Sequence, residues 1–572
     1  MKKRDIKTPT GKNRIFKGIL KLFFPYKRNI LIVVFTMVLT SLISILNPLI
    51  RQSLVDNGIL EKDMGIVAIT SAVILLLWGI QMIFEYVQMI NCTHISQMIP
   101  FQLFKDSFEK LLKLKIHYFE NESYYKIIEN LKFDIVSISM IANQNTLFAI
   151  SQALNIVGGI VGLTIISWKL SILVIMAIPL KLLITNYFIK NKSKIFKGLM
   201  SNTEKFNDWL GDILNNVDIV KLWNLYENIN KQFIDFQKEI ISSKKRNIYM
   251  DKFNSMSSNG IDMLLNIGIY FIGAVLIMND EITLGGFFAF LSYTSYVLGS
   301  IGLLNFIKYS TAEIKPSYSR YLAFMELDEE ELSICNEKTV LSISPAKISF
   351  KNVSLFRENK KVINNISFEI NNGEKVALWG ENGSGKTSLI NLLLRFYTPD
   401  EGEILIDDVS IEDIDILSYR DNVSVVMQNT KLFNQSVYEN VDLYKKHSKE
   451  EVIEAFMQWG MCDLVKRLKN RLDEKIGYNG SKLSGGERQK LSAIRAYFKR
   501  ANILILDEPT ANYDEESIKI FNEIINVRKD YDFLIIVTHE REILKQMDKI
   551  IMLSNGRIDN IVTYPEFCTI NS

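Results

Sequence analysis

Cysteine is scarce in this 572-residue sequence, and its four cysteines show neither close pairing nor the spacing of metal ligands. A metal cluster or a disulfide framework is therefore not expected, and a reducing compartment fits. The first 28 residues also lack the apolar core and cleavage site of a signal peptide, so we expect none. The stretch RIFKGILKLFF at 14–24 instead places apolar side chains on one helical face. We predict a helix lying at the membrane surface, with an ordinary soluble amphipathic helix as the alternative.

Apolar residues concentrate in the first 306 residues, although they form 48% of the whole chain. Six runs in this part are each long enough, at about 20 residues, to cross a bilayer. They lie near 29–50, 66–90, 143–166, 169–188, 258–279 and 284–306. This half is therefore predicted to be an all-α membrane domain.

The connections between these runs alternate in length. Three are very short and carry few basic residues, whereas those at 91–142 and 189–257 are long and rich in lysine. Because the N-terminus is also basic, the positive-inside rule places both termini and the long connections in the cytoplasm, with the spans in a plasma or inner membrane. The long connections contain almost no proline or glycine, so we predict helices extended into the cytosol rather than loops.

A burst of acidic and polar residues at 326–344 interrupts this pattern and predicts a linker. From about residue 345, short β-rich runs such as KVALWG, ILILDEP and FLIIVTHE alternate with helical ones. This alternation predicts an α/β domain with a largely parallel sheet. We therefore divide the chain into a transmembrane domain at 1–325, the linker at 326–344 and an α/β domain at 345–572.

The octapeptide GENGSGKT at 380–387 lies between a buried-strand pattern and a helical one, which is the context of a phosphate-binding P-loop. Its glycines allow consecutive backbone N–H groups to surround phosphate oxygens, and the helix start adds positive potential. Lys386 is predicted to reach the β- and γ-phosphates of ATP, and the Thr387 hydroxyl to bind Mg²⁺. The predicted ATP-binding residues of this loop are Gly380, Glu381, Asn382, Gly383, Ser384, Gly385, Lys386 and Thr387.

Polar side chains also follow other strands of this domain. In ILILDEP, Asp507 is placed to hold Mg²⁺ and Glu508 to polarise the attacking water. His539 follows the strand of IIVTH, at a carboxyl end that faces the ligand crevice, where it can donate to the γ-phosphate. Gln428, after VSVVM, is predicted to contact Mg²⁺ or water. The predicted catalytic residues are Glu508, His539, Gln428 and Lys386, and the predicted metal-binding ones are Thr387, Gln428 and Asp507.

The order of these motifs resembles the nucleotide-binding domain of ABC transporters over 345–560. The resemblance is carried by GENGSGKT, Gln428, LSGGE at 483–487, LILDE, Asp514 in TANYD and His539. The six-span half with long cytosolic helices is similar to that of an ABC exporter half-transporter. The resemblance implies a membrane all-α domain followed by an α/β P-loop ATPase domain of the ABC type.

The same resemblance implies a dimer. In this family two nucleotide-binding domains face each other head to tail, and ATP lies between the P-loop of one and the LSGGE signature of the other. Residues implied to act on a nucleotide held by the second chain are Ser484, Gly485, Gly486 and Glu487, with Asp514 as the D-loop residue. Because one chain carries every residue that hydrolysis needs, a homodimer is favoured, and a heterodimer stays open.

Two positions depart from the family's pattern. An aromatic residue that stacks on adenine usually follows the first strand, where this chain has Arg357, with Phe356 one position before. Either side chain can stack on a base, so Phe356 and Arg357 are alternative candidates for the adenine contact of the ATP-binding site. Just before the signature, exporters usually carry Glu where this chain has Tyr478, so communication with the membrane helices would use a hydroxyl or a ring.

Polar and ionisable side chains within spans are costly and often mark a transport pathway. The candidates for lining a substrate cavity are Glu85, Asp262, Phe287 and Tyr293. They indicate an amphipathic cargo, either a drug-like molecule or a peptide. Positions at the membrane interface or in the helix core would also explain them.

ATP-driven export of an amphipathic molecule by alternating access is the function that these features predict. A lipid flippase, an importer, and an ATP-gated or regulatory membrane protein without net pumping are the alternatives. A soluble ABC ATPase that acts on nucleic acid does not fit, because this chain has spans and a single nucleotide domain.

Overall fold

The computed structural model of the chain describes residues 12–121, 124–142, 144–330, 345–357, 360–467, 471–510, 513–527 and 531–570. The chain divides into two compact units, one of Arg4–Leu114 with Phe119–Asp328 and one of Lys115–Tyr118 with Glu329–Ser572. Most of the predicted linker, 331–344, lies outside the described residues, as do 1–11 and part of TANYD.

Within the described residues, ten α-helices precede the first strand. They are α1 (Lys12–Phe23), α2 (Lys27–Ser53), α3 (Met64–Lys113), α4 (His117–Asn121), α5 (Tyr124–Ser139), α6 (Gln144–Ile166), α7 (Trp168–Asn215), α8 (Val217–Leu222), α9 (Tyr226–Met278) and α10 (Leu284–Met325). The six predicted spans fall on α2, α3, α6, α7, α9 and α10. The prediction that the long connections are helical is confirmed, because α3, α7 and α9 each run for about 50 residues.

Four helical stretches among the described residues are long and apolar enough to cross a membrane: Gly18–Leu60, Met64–Lys113, Trp168–Lys192 and Tyr226–Met278. A shorter apolar stretch, Gln152–Ile166, lies in α6. At 1.5 Å per residue, the 42-residue α10 is also longer than the roughly 30 Å hydrocarbon core of a bilayer.

Among the described residues, the helical unit contains two large apolar cores and a smaller cluster of Val33, Met37 and Cys92 between α2 and α3. The outer core, towards the predicted outer ends of the spans, joins α6, α7, α9 and α10 through Leu163, Leu170, Val174, Ile269, Leu276, Ile282, Phe290, Tyr293, Val297 and Leu298. The inner core joins α1, α3, α5 and α10 through Ile19, Ile95, Ile99, Leu103, Ile135, Ile138, Ala142, Ile314, Tyr318 and Tyr321. Helix α10 therefore packs in both cores with different partners.

The predicted amphipathic helix at the N-terminus is present as α1. Its apolar face packs on protein at Ile19, which is 7% exposed in the inner core. Leu20 and Phe24 are exposed at 52% and 74%. Among the described side chains, part of the apolar face is thus covered by other helices and part is exposed.

The second unit is an α/β domain, as predicted. Its strands are β1 (Lys347–Arg357), β2 (Lys360–Asn371), β3 (Lys375–Trp379), β4 (Glu401–Ile406), β5 (Val409–Ser410), β6 (Val423–Val426), β7 (Ile503–Asp507), β8 (Phe533–Val537), β9 (Lys549–Ser554) and β10 (Arg557–Val562). Its helices are α11 (Lys386–Leu393), α12 (Ile416–Asp421), α13 (Val437–Val441), α14 (Lys449–Gln458), α15 (Cys462–Arg467), α16 (Gly485–Lys499), α17 (Glu515–Val527), α18 (Arg541–Leu544) and α19 (Tyr564–Ile570).

Two sheets organise this domain. One is antiparallel with the strand order β2–β1–β4–β5, and the other has the order β10–β9–β3–β8–β7–β6. In the six-stranded sheet, β9, β3, β8, β7 and β6 are parallel to one another, and β10 pairs with β9 in the antiparallel direction. The apolar runs of the parallel strands are largely buried on both faces. Because the carboxyl ends of parallel strands meet at one edge, the segments that follow β3, β6, β7 and β8 share that edge.

Candidate functional site

The phosphate loop lies between the end of β3 and the start of α11. Gly385 caps α11 with φ of +109°, a left-handed value that favours glycine. A Cβ atom on Gly385 would lie 2.8 Å from Ile363 Cδ1 and 3.3 Å from Val362 O, so the loop passes closely over β2. The glycine is therefore required both by the backbone conformation and by the space.

Lys386 is buried, and its ammonium group folds back over the loop. Its Nζ donates to the carbonyl oxygens of Gly380 at 2.5 Å and Glu381 at 2.9 Å. Burial lowers the pKa of Lys386, and the Glu508 and Asp507 carboxylates oppose that shift. The Lys386 ammonium group therefore lies close enough to Asp507 and Glu508, at the end of β7, to interact with both charges.

Ser384 contributes a polar atom without a partner to the same loop. The residue is 3% exposed, and its Oγ has no hydrogen-bond partner among the described atoms. An unsatisfied buried hydroxyl costs about 1–3 kcal/mol. A hydrogen bond between the Ser384 hydroxyl and a bound ligand would remove that cost. The remaining predicted loop residues Glu381, Asn382, Gly383 and Thr387 are exposed.

Three predicted catalytic residues meet after the strands of the parallel sheet. Gln428 Nε2 donates to Glu508 Oε2 at 2.6 Å, and His539 Nε2 lies 3.5 Å from Glu508 Oε1. Glu508 has φ of +47°, a left-handed conformation that is uncommon for residues other than glycine. The Glu508 N–H extends the hydrogen bonding between β7 and β8 by donating to Val537 O at 2.9 Å. This turn aims the Glu508 carboxylate at both neighbours.

Asp507, the last residue of β7, is buried at 7% exposure. Burial and the neighbouring Glu508 carboxylate raise the pKa of Asp507 to about 6, while Lys386 acts in the opposite direction. Two carboxylates and one ammonium group therefore share a poorly solvated edge. An added cation would relieve the repulsion between the two acids.

The signature segment begins α16. Ser484 is its N-cap: its Oγ accepts from Glu487 N at 3.2 Å, and Glu487 Oε2 accepts from Ser484 N at 2.8 Å. This capping box leaves Gly485 and Gly486 in the first turn, where the helix presents N–H groups. Glu487 also pairs with Arg467 at 2.7 Å. The signature thus offers an ordered helix N-terminus suited to an anion.

Helix α16 also reaches the edge that holds Glu508. Gln489 Nε2 donates to Glu508 O at 3.5 Å, a contact that the sequence patterns did not reveal. A cavity of about 310 Å³ lies between the segment 428–431 and the first turns of α16. Within one chain, the first turns of α16 and the segment that begins at Gln428 therefore line the same polar cavity.

Two predicted positions flank this region. Asp514 precedes α17 and accepts from Ser517 N at 2.9 Å, and hydrogen bonds from Ser517 lower the pKa of Asp514. Tyr478 is 85% exposed in a short turn just before the signature. Neither residue contacts Glu508 through a hydrogen bond described here.

The two predicted base-contacting residues lie at the end of β1, where the chain turns into β2. Phe356 is 44% exposed. Arg357 is half-buried because its guanidinium carbon lies 3.6 Å from the centre of the Tyr397 ring. Tyr397 is a further residue that the sequence patterns did not single out.

The four predicted cavity residues have three kinds of surroundings. Glu85 is exposed on α3 and accepts from Gln81 at 2.7 Å, one turn earlier. Tyr293, expected on a cavity wall, is fully buried in the outer core, because its ring packs on Gly162. Phe287 is half-buried against the same core.

Asp262 forms an ion pair with Lys181, a residue that the sequence patterns did not single out. Lys181 Nζ donates to the two Asp262 carboxylate oxygens at 2.6 and 2.9 Å and to Leu298 O at 3.3 Å. The Lys181 side chain is 3% exposed, and that of Asp262 is 29% exposed. A lysine inside the apolar run IPLKLLI is the signal that could have identified this pair.

Comparison with known families gives two matches. Residues 30–301 match the ABC transporter transmembrane region, and residues 363–511 match the ABC transporter domain. Together the two matches span well over half of the chain. They coincide with the helical unit and with the domain that carries the phosphate loop.

Individual relatives match over nearly the whole chain. An ATP-dependent lipid A-core flippase of Albidiferax ferrireducens is 28% identical over 560 residues, which cover 96% of this chain and 95% of that protein. An uncharacterized ABC transporter ATP-binding protein of Bacillus subtilis, YwjA, is 27% identical over 558 residues, with 95% of each chain covered. A bacterial Atm1-family ABC exporter with ATP bound superposes with a TM-score of 0.81 at 20% identity over 96% of both chains, so the two share a fold.

These matches fit the geometry already described, in which apolar helices precede an α/β domain with a phosphate loop. The protein is embedded in the membrane through several spans, and its C-terminal domain binds and hydrolyses ATP to drive export. The chain therefore belongs to the ABC transporter family, as an exporter-type half-transporter with one transmembrane region and one nucleotide-binding domain.

Proposed function

We propose that two copies of this chain form a homodimer that exports an amphipathic molecule by alternating access, with ATP hydrolysed at two shared sites. The observation that carries this proposal is the meeting of Gln428, Glu508 and His539 at the sheet edge beside Lys386. These groups match the needs of phosphoryl transfer to water, in which positioning and charge supply most of the catalysis. We propose 1–325 as the transmembrane domain and 345–572 as the nucleotide-binding domain.

The catalytic roles follow from the geometry. The Glu508 carboxylate would accept a hydrogen bond from the attacking water, because Gln428 and His539 already hold it by both oxygens. The Lys386 ammonium group would exchange its two neutral carbonyl acceptors for β- and γ-phosphate oxygens. The buried Ser384 hydroxyl and the loop N–H groups would complete the phosphate cradle.

Magnesium fits this edge by the chemistry of its donors. Thr387, Gln428 and Asp507 offer a hydroxyl, an amide oxygen and a carboxylate, all hard oxygen ligands that Mg²⁺ prefers. Within the described ranges, no three His, Cys, Asp or Glu side chains form a complete metal site. The ion would bind together with nucleotide phosphates, whose charge it would neutralise.

Dimerisation is proposed because the chain carries one phosphate loop and one signature. Ser484, Gly485 and Gly486 form an ordered helix start that is exposed or half-buried, and it is suited to the γ-phosphate of a nucleotide on the other copy. If the purified protein stays monomeric at every concentration yet hydrolyses ATP at full rate, this arrangement is excluded. A heterodimer would appear as activity only after a different half-transporter is added.

The cargo is proposed to be amphipathic, because the path would run between apolar helices that carry few charges. Drug-like and peptide molecules are the first candidates. A lipid is a second candidate, because several relatives are named as lipid A-core flippases. Transport into inside-out vesicles, with peptides, cationic amphiphiles and headgroup-labelled lipids compared side by side, separates these classes.

The decisive experiment replaces the catalytic carboxylate. Glu508→Gln should lower steady-state ATPase activity by about 100-fold or more, since general-base catalysis contributes about 10²–10⁴-fold, while ATP binding persists. The matched control is Glu542→Gln, which changes an exposed glutamate of the same domain that pairs with Lys545 one turn away at 2.8 Å. Near-normal turnover in Glu508→Gln would overturn the assigned role. Hydrolysis in wild-type protein without concentrative transport would favour a gated or regulatory protein.

A further inference from the structure

The segments that leave two predicted spans on the cytosolic side are rich in basic residues. Residues 186–200 of α7 hold four lysines and no acidic residue, and residues 243–257 of α9 hold four basic residues and one acid. Lys190, Lys194 and Lys252 are exposed, and we call these three residues the lysine collar. Within the described parts of α7 and α9, no carboxylate is paired with a collar lysine. Their charges are therefore available to a negatively charged ligand.

Two ion pairs between α7 and α9 fix the register of these segments. Lys181 pairs with Asp262, and Lys192 pairs with Asp251, each at 2.6 Å. The second pair lies eleven residues later on α7 and eleven residues earlier on α9, so the two helices run antiparallel without a shift in register. By this register, the collar residues of the two helices lie at levels that differ by no more than about 6 Å.

That level corresponds to the headgroup region of the inner leaflet. The predicted span of α7 ends at 188, and the predicted span of α9 begins at 258. At 1.5 Å per residue, Lys190 lies about 3 Å beyond its span, and Lys194 and Lys252 lie about 9 Å beyond theirs. The polar region of a leaflet is about 5–8 Å thick, and a lysine side chain can extend its ammonium group towards it. All three ammonium groups can therefore reach lipid phosphates.

The collar lysines of α7 point away from α9. Lys192 faces Asp251 of α9, and its side chain is 16% exposed. Lys190 and Lys194 are each two residues from Lys192, which corresponds to about 200° around the helix axis. They therefore lie on the opposite side of α7 from the contact with α9, on a face of their own.

Exposed aromatic residues accompany the collar. Tyr187 lies three residues before Lys190 and so on the same face of α7, and it is 67% exposed. On α9, Tyr249 lies three residues before Lys252 and is 64% exposed. Tyrosine beside lysine at the end of a span is typical of the boundary between hydrocarbon and headgroups. The aromatic residues thus support the depth assigned to the collar.

We propose that the lysine collar binds the phosphate groups of anionic phospholipids in the inner leaflet, for which phosphatidylglycerol serves as the test lipid. Opposite charge supplies the attraction, and each lysine near an anionic membrane surface strengthens binding by about fivefold. Phosphatidylcholine also has a phosphate group, but its choline cation cancels the charge. The bound lipid is a component of the surrounding bilayer, so the inference depends neither on the nucleotide site nor on the cargo.

The test measures which lipids stay with the full-length protein. The protein is reconstituted into nanodiscs with equal amounts of phosphatidylcholine and phosphatidylglycerol, transferred briefly to mild detergent, and analysed for retained lipid by mass spectrometry. Wild-type protein should retain phosphatidylglycerol over phosphatidylcholine by about fivefold or more at about 0.1 M salt. The preference should fall to about twofold or less at about 1 M salt, because the screening length shortens from about 10 Å to about 3 Å.

Variants of the collar test the role of its charge. Combining Lys190→Gln, Lys194→Gln and Lys252→Gln should lower the preference for phosphatidylglycerol to within about twofold. Replacing the same three residues with arginine keeps the positive charges, so it should retain the preference. Both variants should keep the wild-type melting temperature within a few degrees, because the collar lysines are exposed.

A charge-matched control separates position from net charge. It combines Lys205→Gln, Lys231→Gln and Lys238→Gln, three exposed lysines of the same two helices. They lie about 25–40 Å beyond the spans, several screening lengths from the headgroups. This control should retain the wild-type preference for phosphatidylglycerol.

Four results would overturn the inference. In the first, wild-type protein retains both lipids equally at low salt. In the second, the control loses the preference as fully as the glutamine variant of the collar, which would indicate net charge. In the third, an excess of soluble glycerol phosphate abolishes the preference, which would indicate a site for a free anion. In the fourth, the glutamine variant keeps the preference but changes the oligomeric mass in light scattering, which would assign this face to contact with a second copy.

Discussion

Removing Asp262 should destabilise the membrane domain more than removing Lys181, although the two residues form one ion pair. The pair lies where it is poorly solvated. Asp262 is 16 residues before the end of α9, and Lys181 is 13 residues after the start of α7. These counts correspond to about 24 and 20 Å below the outer helix ends, within a hydrocarbon core of about 30 Å.

The two side chains differ in exposure, and this difference sets the expected asymmetry. Asp262→Leu leaves the Lys181 ammonium group, 3% exposed, with Leu298 O as its remaining described acceptor, so the expected cost is about 3–5 kcal/mol. Lys181→Met leaves the Asp262 carboxylate, whose side chain is 29% exposed and so less enclosed by protein than that of Lys181, and the expected cost is smaller, about 1–3 kcal/mol. The double variant replaces the pair with apolar groups and should lie within about 1 kcal/mol of wild type.

Thermal unfolding of the purified protein in mild detergent, followed by fluorescence, measures this order. The control is Asp251→Leu, which breaks the Lys192–Asp251 pair on the same two helices, where the Asp251 side chain is 54% exposed. That change should cost no more than about 1 kcal/mol. Additive losses in the double variant, or equal losses for Asp262→Leu and Asp251→Leu, would refute the reasoning.

Two further predictions concern the nucleotide-binding domain. Asp507→Asn should raise the melting temperature of the metal- and nucleotide-free protein at pH 7.5 and have no effect near pH 3.5. Because the pKa of Asp507 is raised from 3.8 to about 6, its ionised carboxylate destabilises the folded state by up to about 3 kcal/mol above pH 6. This cost vanishes at low pH, where Asp507 is protonated in both the folded and the unfolded state. A lower melting temperature of Asp507→Asn at pH 7.5 would contradict this reasoning. Gly385→Ala should cost about 1–3 kcal/mol and weaken ATP binding, because φ is +109° and Ile363 and Val362 crowd the added carbon. The control Gly198→Ala, in a helix with no atom within 4 Å of the added carbon, should gain up to about 1 kcal/mol; similar losses in both would argue against local strain.

Local patterns predicted the elements that carry the nucleotide chemistry. Each polar residue of the edge directly follows a short apolar strand, and parallel strands bring such positions to one place without any long-range information. The sequence therefore predicts that Gln428, Glu508 and His539 meet. It does not predict that Glu508 takes a left-handed turn towards the other two, because that depends on how β7 pairs with β8.

Pairings between distant segments were not predictable in the same way. Lys181 and Asp262 are 81 residues apart, and Arg357 and Tyr397 are 40 residues apart, so each contact depends on the packing of whole elements. Tyr293 shows a second kind of dependence on distant segments. An aromatic residue in a spanning helix has the same local pattern whether it faces a cavity or a core, and the close approach of Gly162 decides in favour of the core.

Helix α10 passes through both apolar cores as one helix, so a movement at its inner end is transmitted to its outer end. Its 42 residues correspond to a rod of about 63 Å. A tilt of about 5° about one end would move the other end sideways by about 5 Å. A small rearrangement among the partners of Ile314 and Tyr318 would thus shift Phe290 and Val297 sideways against their neighbours.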